Sequence, residues 1–210
     1  MIIVQLIYNL SVLAALSIFS GFIDKRYKRK TILGQVLQGF LFAFAVIIGM
    51  KYPFVFGGGI IFDGRSIVIS LCALFFGPIS GVITSVAAII YRLYLGGGGW
   101  LMGVSVITES FLIGYLFYYL RSKSDNKTIS MLRLYGMGVI VHLIMVALMI
   151  LLPAKNFAEA FVLVGPTVII AYPILTVLIG KVLLDQEENE KFSKQIIASE
   201  EKYRTTFYSI

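Results

Sequence analysis

The chain has 210 residues, 59% of them hydrophobic, and a mean hydropathy of +0.91. Water-soluble domains carry about a quarter of their residues as charged, whereas here the share is 14%; a soluble globular domain is excluded and an all-α, polytopic membrane protein is expected. The formal charge of +7 does not point to nucleic acid, because the basic residues cluster beside apolar runs and no polar domain offers a groove.

In chain order, apolar runs of spanning length, about 17 to 25 residues, occur at Ile2–Ile23, Ile32–Met50, Gly103–Leu120, Tyr135–Leu152 and Ala160–Leu183. A further run, Ser66–Leu95, is broken at Gly77-Pro78. The first run has no basic leader and ends in the charges of Asp24 to Lys30, so it reads as a retained helix and not as a cleaved signal. The single cysteine, Cys72, lies inside an apolar run and is expected to pack.

Short loops rich in Lys and Arg lie on the cytoplasmic side. That places inside both the segment 24–30, with five Lys/Arg, and the segment 121–133, with Arg121, Lys123, Lys127 and Arg133. The charged C-terminal helix from Lys181 onward belongs on the same side. An even number of crossings between the two basic loops requires the broken run to enter and return. Its arms, about 11 and 17 residues or roughly 16 and 25 Å, fall short of a hydrocarbon core of roughly 30 Å. A tilted or re-entrant hairpin packed inside protein is expected, with segments 51–65, 91–102 and 153–159 sharing the outer side.

Such a hairpin brings Arg65 and Arg92, at its two ends, to one face. Guanidinium groups are always charged and offer a planar fork of donors, so a pair beside Tyr91, Tyr94 and Trp100 suits a small carboxylate. The alternative is that both reach to lipid headgroups. The glycine run Gly96 to Gly99, with Gly97 and Gly98 at its centre, either turns backbone N–H groups toward an anion or serves as a plain turn. Glu109, two turns into the next span, is costly there unless paired or functional, and Arg92 or Arg65 is its natural partner. Asp63 either orients Arg65 across Gly64 or stays an exposed loop carboxylate. His142, the one histidine, is expected to be a hydrogen-bonded core residue. The sequence displays no nucleophile with a base, phosphate loop or metal-ligand cluster, so no catalytic site, metal or cofactor is expected within these residues.

After the last span the text becomes "LLDQEENEKFSKQIIASEEKYRTTFYSI", charged and free of Gly and Pro. Val182, Asn189, Ile196 and Tyr203 recur at a spacing of seven, with Phe192 between them. This allows either a coiled-coil seam between two chains or a solvated single helix.

The stretch "FDGRSIVISLCALFFGPISGVITSVAAIIYRLYLGGGGWLMG" resembles the core of the LytS/YhcK-type membrane sensor domain, a nominally five-spanning receptor. The shared features are an arginine before a short helix, a G-P-x-x-G break, a basic residue near a second helix end and a glycine-rich loop. The resemblance implies a sensory input module for a histidine kinase or diguanylate cyclase, with small carboxylates such as pyruvate among the family's signals. It implies a ligand role for Arg65 and Arg92 and a response regulator reached only through further domains; the homodimer expected as the working form is read from the tail. Where the family offers polar side chains after the glycine loop, this chain has Gly103, Val104 and Val106. The end, "SEEKYRTTFYSI", resembles the opening of a PAS domain. The family is also similar to the substrate-capture subunits of ECF-type vitamin transporters, with six helices, which keeps a solute-uptake component as the competing function. The organisation expected is an N-terminal helix and basic loop at 1–31, a sensor domain at 32–183 and a signalling helix at 184–210.

Overall fold

The computed structural model describes residues 2–57, 60–124 and 128–207. Lys127, counted above among the inside basic residues, and the last three residues of the PAS-like ending lie outside them. The chain is an all-α bundle with one small hairpin of strands.

Helix α1, Ile2–Arg26, runs through the first apolar segment, and α2, Ile32–Lys51, through the second. Thr31 caps α2, its hydroxyl accepting from the Gly34 N–H at 3.1 Å. The broken run becomes α3, Arg65–Phe76, and α4, Pro78–Leu95. Gly77 between them adopts φ 91°, a left-handed value that an L side chain resists, and Pro78 opens α4 where its missing N–H is not needed. The fold-back is antiparallel: Cys72, free and fully buried, lies 3.4 Å from the Thr84 hydroxyl on the returning arm.

All 12 residues of α3 are buried, and it touches α2, α4, α5, α6 and α8. Here α5 is Trp100–Lys123, α6 is Met131–Ala147 and α8 is Gly165–Phe207. Helix α3 is therefore enclosed by protein, as its shortness requires, whereas α4 corrects the expectation of two short enclosed arms: it is long enough to span and keeps an exposed apolar face at Val82, Val86 and Ile90. Among the described residues, five helices are long and apolar enough to cross a membrane: α2, α4, α5, α6 with its 3-10 continuation to Leu151, and α8.

Two regions differ from the sequence expectation. The segment 51–65 is not a bare loop: strands β1, Phe54–Gly57, and β2, Ile60–Phe62, pair antiparallel. The final span does not begin at Ala160. Residues Ala154–Leu163 form a separate helix, α7, and α8 starts at Gly165, where Pro166 fits the first turn of a new helix but could not continue an old one. The expected boundary at 183/184 falls inside α8, which runs unbroken for 43 residues.

At the end where α8 leaves the apolar bundle, ion pairs hold it. Glu187 accepts from Arg121 at 2.8 Å and Arg29 at 3.2 Å, and Arg29 also pairs with Asp24 at 2.6 Å. Lys191 reaches Glu187 at 2.7 Å, one turn along.

Candidate functional site

Arg65 opens α3 and Asp63 precedes it by two residues, so the intervening Gly64 lets the carboxylate fold over the helix start. Asp63 Oδ1 accepts the Arg65 backbone N–H at 2.9 Å, and Oδ2 accepts from Nη1 at 2.9 Å. Both side chains are about nineteen-twentieths buried, at 6% and 4% exposure. Asp63 is thus the orienting partner of Arg65 and not a free loop carboxylate. The Nε of Arg65 is buried without a hydrogen-bond partner among the described residues.

Arg92 occupies the last turn of α4 and is 1% exposed. Its Nη1 donates to the Gly96 carbonyl at 2.6 Å. The hairpin brings it close enough to Arg65 and Asp63 for both charges to act on it. The two arginines, 27 positions apart in sequence by subtraction of 65 from 92, therefore share one end of the bundle.

The glycine loop shapes the bed of Arg92. Gly96 and Gly97 take φ 61° and 84°, turning the chain sharply after α4. Gly97 and Gly98 are exposed, while Gly99 is buried. A Cβ on Gly99 would stand 3.4 Å from Arg92 Nη2 and from the Cα of Ile60; one on Gly103 would stand 2.5 Å from Arg92 Nε. The guanidinium thus lies across the first turn of α5, with β2 beside it. Ile60 and Phe62 are buried, in a cluster that includes Met102, Val106, Met149 and Ala160.

The aromatic residues take other places. Tyr91 is half-buried against the main core and stacks on Tyr94 at 6.1 Å. Tyr94 and Trp100 are exposed on the surface of the bundle. Guanidinium–ring stacking occurs at the opposite end, where Arg29 lies over Phe76 and Arg121 over Phe75.

Glu109 departs from expectation: among the described residues it pairs with neither arginine. Its Oε1 accepts from the Ser110 hydroxyl at 3.2 Å, and Oε2 is buried without a partner. The reason is helical geometry. The α5 residue against Arg92 is Gly103, and Glu109 lies about 9 Å deeper and roughly a third of a turn off that face.

A buried polar file runs inward from the site. Ser66, next to Arg65, contacts His142 Nε2 at 3.1 Å, and His142 Nδ1 contacts the Gly138 carbonyl at 2.6 Å. The carbonyl can only accept, so Nδ1 carries the proton and the Ser66 hydroxyl donates to Nε2. The imidazole stands edge-on to Tyr172 of α8, with centroids 5.1 Å apart. His142 is a hydrogen-bonded core residue, as expected, yet it does place a base on a serine, which the sequence reading had not found. Both residues are fully buried, and a backbone carbonyl stands where a catalytic carboxylate would, so the contact ties α3 to α6. Sequence offered no signal for this pair or for the Arg92–Gly103 contact.

A family model described as 5TMR of 5TMR-LYT matches residues 16–186, more than half of the chain. No curated protein and no solved structure matches it.

Proposed function

The chain belongs to the 5TMR of 5TMR-LYT family, membrane sensory domains of signal-transduction proteins, and from that premise we propose that it detects a small organic anion, a carboxylate such as pyruvate, between Arg65, Arg92 and the glycine loop. The observation that carries this reading is the burial of two guanidinium groups within electrostatic reach of each other at the mouth of the hairpin. Two like charges removed from water repel, and Asp63 is already engaged with Arg65. An incoming carboxylate converts that repulsion into charge-assisted hydrogen bonds, with the Arg65 Nε–H as an open donor. The N-termini of α3 and α5 lie at the same end and add partial positive charge.

Transmission follows the polar file. A ligand that draws on Arg65 shifts Ser66, His142 and then Tyr172 on α8. The next residue, Pro173, has no N–H to give the Ile169 carbonyl, so α8 is most easily bent there. The ligand acts by its differential affinity for two packings of the bundle. In this reading the protein lies in the plasma membrane with both basic loops and the C-terminus cytoplasmic. The exit helix pairs with a second copy through Phe192, Ile196 and Tyr203, all exposed, and passes the signal to a histidine kinase or diguanylate cyclase domain.

A thermal-shift titration of the detergent-purified chain against pyruvate and other small carboxylates tests this, with Arg65→Lys, Arg65→Ala and Arg92→Ala alongside. One acid stabilises saturably, by about 2.7 kcal/mol at roughly a hundred times its Kd, and the gain vanishes in both alanine variants. Stabilisation that survives either of them, or none from any acid, sinks the arginine site.

A further inference from the structure

The end of the bundle where α8 emerges holds a cavity of about 470 Å³. It is the space left by a short helix. At 12 residues α3 extends only about 18 Å, so its final residues, Leu74, Phe75 and Phe76, form an apolar floor while α5 and α8 continue past it as walls.

The walls are basic. Lys28, Arg29 and Lys30 come from the link between α1 and α2, Arg121 from α5, and Lys191 and Lys194 from α8; the carboxylates facing them are Glu187 and Glu190. Six cations less two anions leave a lining charge of +4. Glu190 is engaged by Lys194, Glu187 is shared by Arg29, Arg121 and Lys191, and Asp24, buried behind the lining, also pairs with Arg29; counting it, six cations less three anions still leave an excess of +3. Lys28 and Lys30 make no ion pair among the described residues and are exposed. An excess of cations over an apolar floor, at a membrane boundary, matches a phosphoryl group carried on an apolar body.

We propose that this cavity binds the phosphate headgroup of an anionic phospholipid from the adjoining leaflet. The phosphate sits among Lys28, Lys30, Arg29 and Arg121, and the glycerol and upper chains rest on Phe75, Phe76 and Tyr118. The phosphate competes with Glu187 for two arginines. Glu187 belongs to α8, so occupancy loosens the pairs that hold the exit helix and makes the setting of the receptor dependent on lipid composition. The site is at the far end from Arg65 and Arg92 and does not rest on the reading of that pair.

Native mass spectrometry and thermal melting of the detergent-purified chain provide the test, with added phosphatidylglycerol, phosphatidylcholine, glycerol phosphate or inorganic phosphate. The expected result is preferential retention of phosphatidylglycerol, about tenfold or more weaker in a Lys28→Ser/Lys30→Ser double variant whose lipid-free melting matches the parent. Glu187→Gln should bind the lipid several-fold more tightly although its lipid-free melting falls, a combination that a purely structural ion pair does not give. Lys155→Ser, at an exposed position of α7 outside the cavity, serves as the control and leaves lipid retention unchanged. Equal retention of phosphatidylcholine, unchanged retention in the lysine variant, or weaker retention in Glu187→Gln would overturn the proposal. Stabilisation by inorganic or glycerol phosphate that equals that of the lipid would assign the cavity to a soluble phosphate ester and overturn the lipid as its occupant.

Discussion

A Cβ on Gly103 would meet Arg92 at Nε, at 2.5 Å, and at Cδ, at 2.9 Å. Backbone holds α5 in place, so the arginine must move. Gly103→Ala is therefore expected to weaken carboxylate binding about tenfold to a hundredfold, the range for losing hydrogen bonds to a charged group, at a stability loss of about 1–3 kcal/mol. Isothermal titration with the carboxylate found by thermal shift measures the first and a melting curve the second; unchanged affinity would mean that Arg92 does not touch the ligand. At this scale the sequence shows what is local. Arg65 and Asp63 are two positions apart, and a short carboxylate over a helix start can be anticipated from that spacing alone. The bed of Arg92 cannot, because Gly103 gains its meaning only from the packing of α5 on α4. Read along the chain it is an absence of polar side chain; in the fold it is the room that a guanidinium occupies.

Among the elements, the α3–α4 hairpin rests on one backbone position. Gly77 holds φ 91°, and a Cβ there would stand 3.0 Å from Gln35 Oε1 and 3.2 Å from Tyr118 Cζ. Gly77→Ala is expected to destabilise by about 1–3 kcal/mol, whereas Pro78→Ala, at a first-turn position, should lose less than about 1 kcal/mol; thermal denaturation of the two variants in detergent separates them. Gly114 is as strict for another reason, since a Cβ there would fall inside contact distance of the Ser70 carbonyl oxygen on α3. The hairpin was legible because glycine and proline act on their own backbone. The strand pair was not. "FVFGGGIIF" carries aromatic and β-branched runs flanking three glycines, a hairpin signal in a soluble protein, but in so apolar a chain such runs do not stand out. Helix α7 was hidden likewise, as Ala160 to Leu163 are as apolar as the span they were assigned to.

Over the whole molecule, the exit of α8 is governed by charge. Burial by itself would raise the pKa of Glu187, but Arg121, Lys191 and Arg29 hold it below its ordinary value of 4.5. A carboxyl whose folded pKa is depressed contributes stability that is complete above the unfolded value and is lost as pH falls through the folded one. At neutral pH Glu187→Gln should melt below the parent, and the two melting temperatures should converge as pH drops below 4.5. A gap that stays constant into acid would show that the network adds nothing electrostatic. Asp24 works in the other direction, since burial raises its pKa despite Arg29 beside it.

Helix α3 also sets an order of assembly. A segment of 12 residues opening with Arg65 has neither the length nor the uniform apolarity by which a nascent helix partitions into a bilayer unaided. Every one of its residues is covered by helices that include α5, α6 and α8, which the ribosome makes later. The centre of the finished bundle is therefore expected to settle last, drawn in after its own surroundings are in place, and until α8 has been synthesised Arg65 does not yet have the interior in which its charge matters.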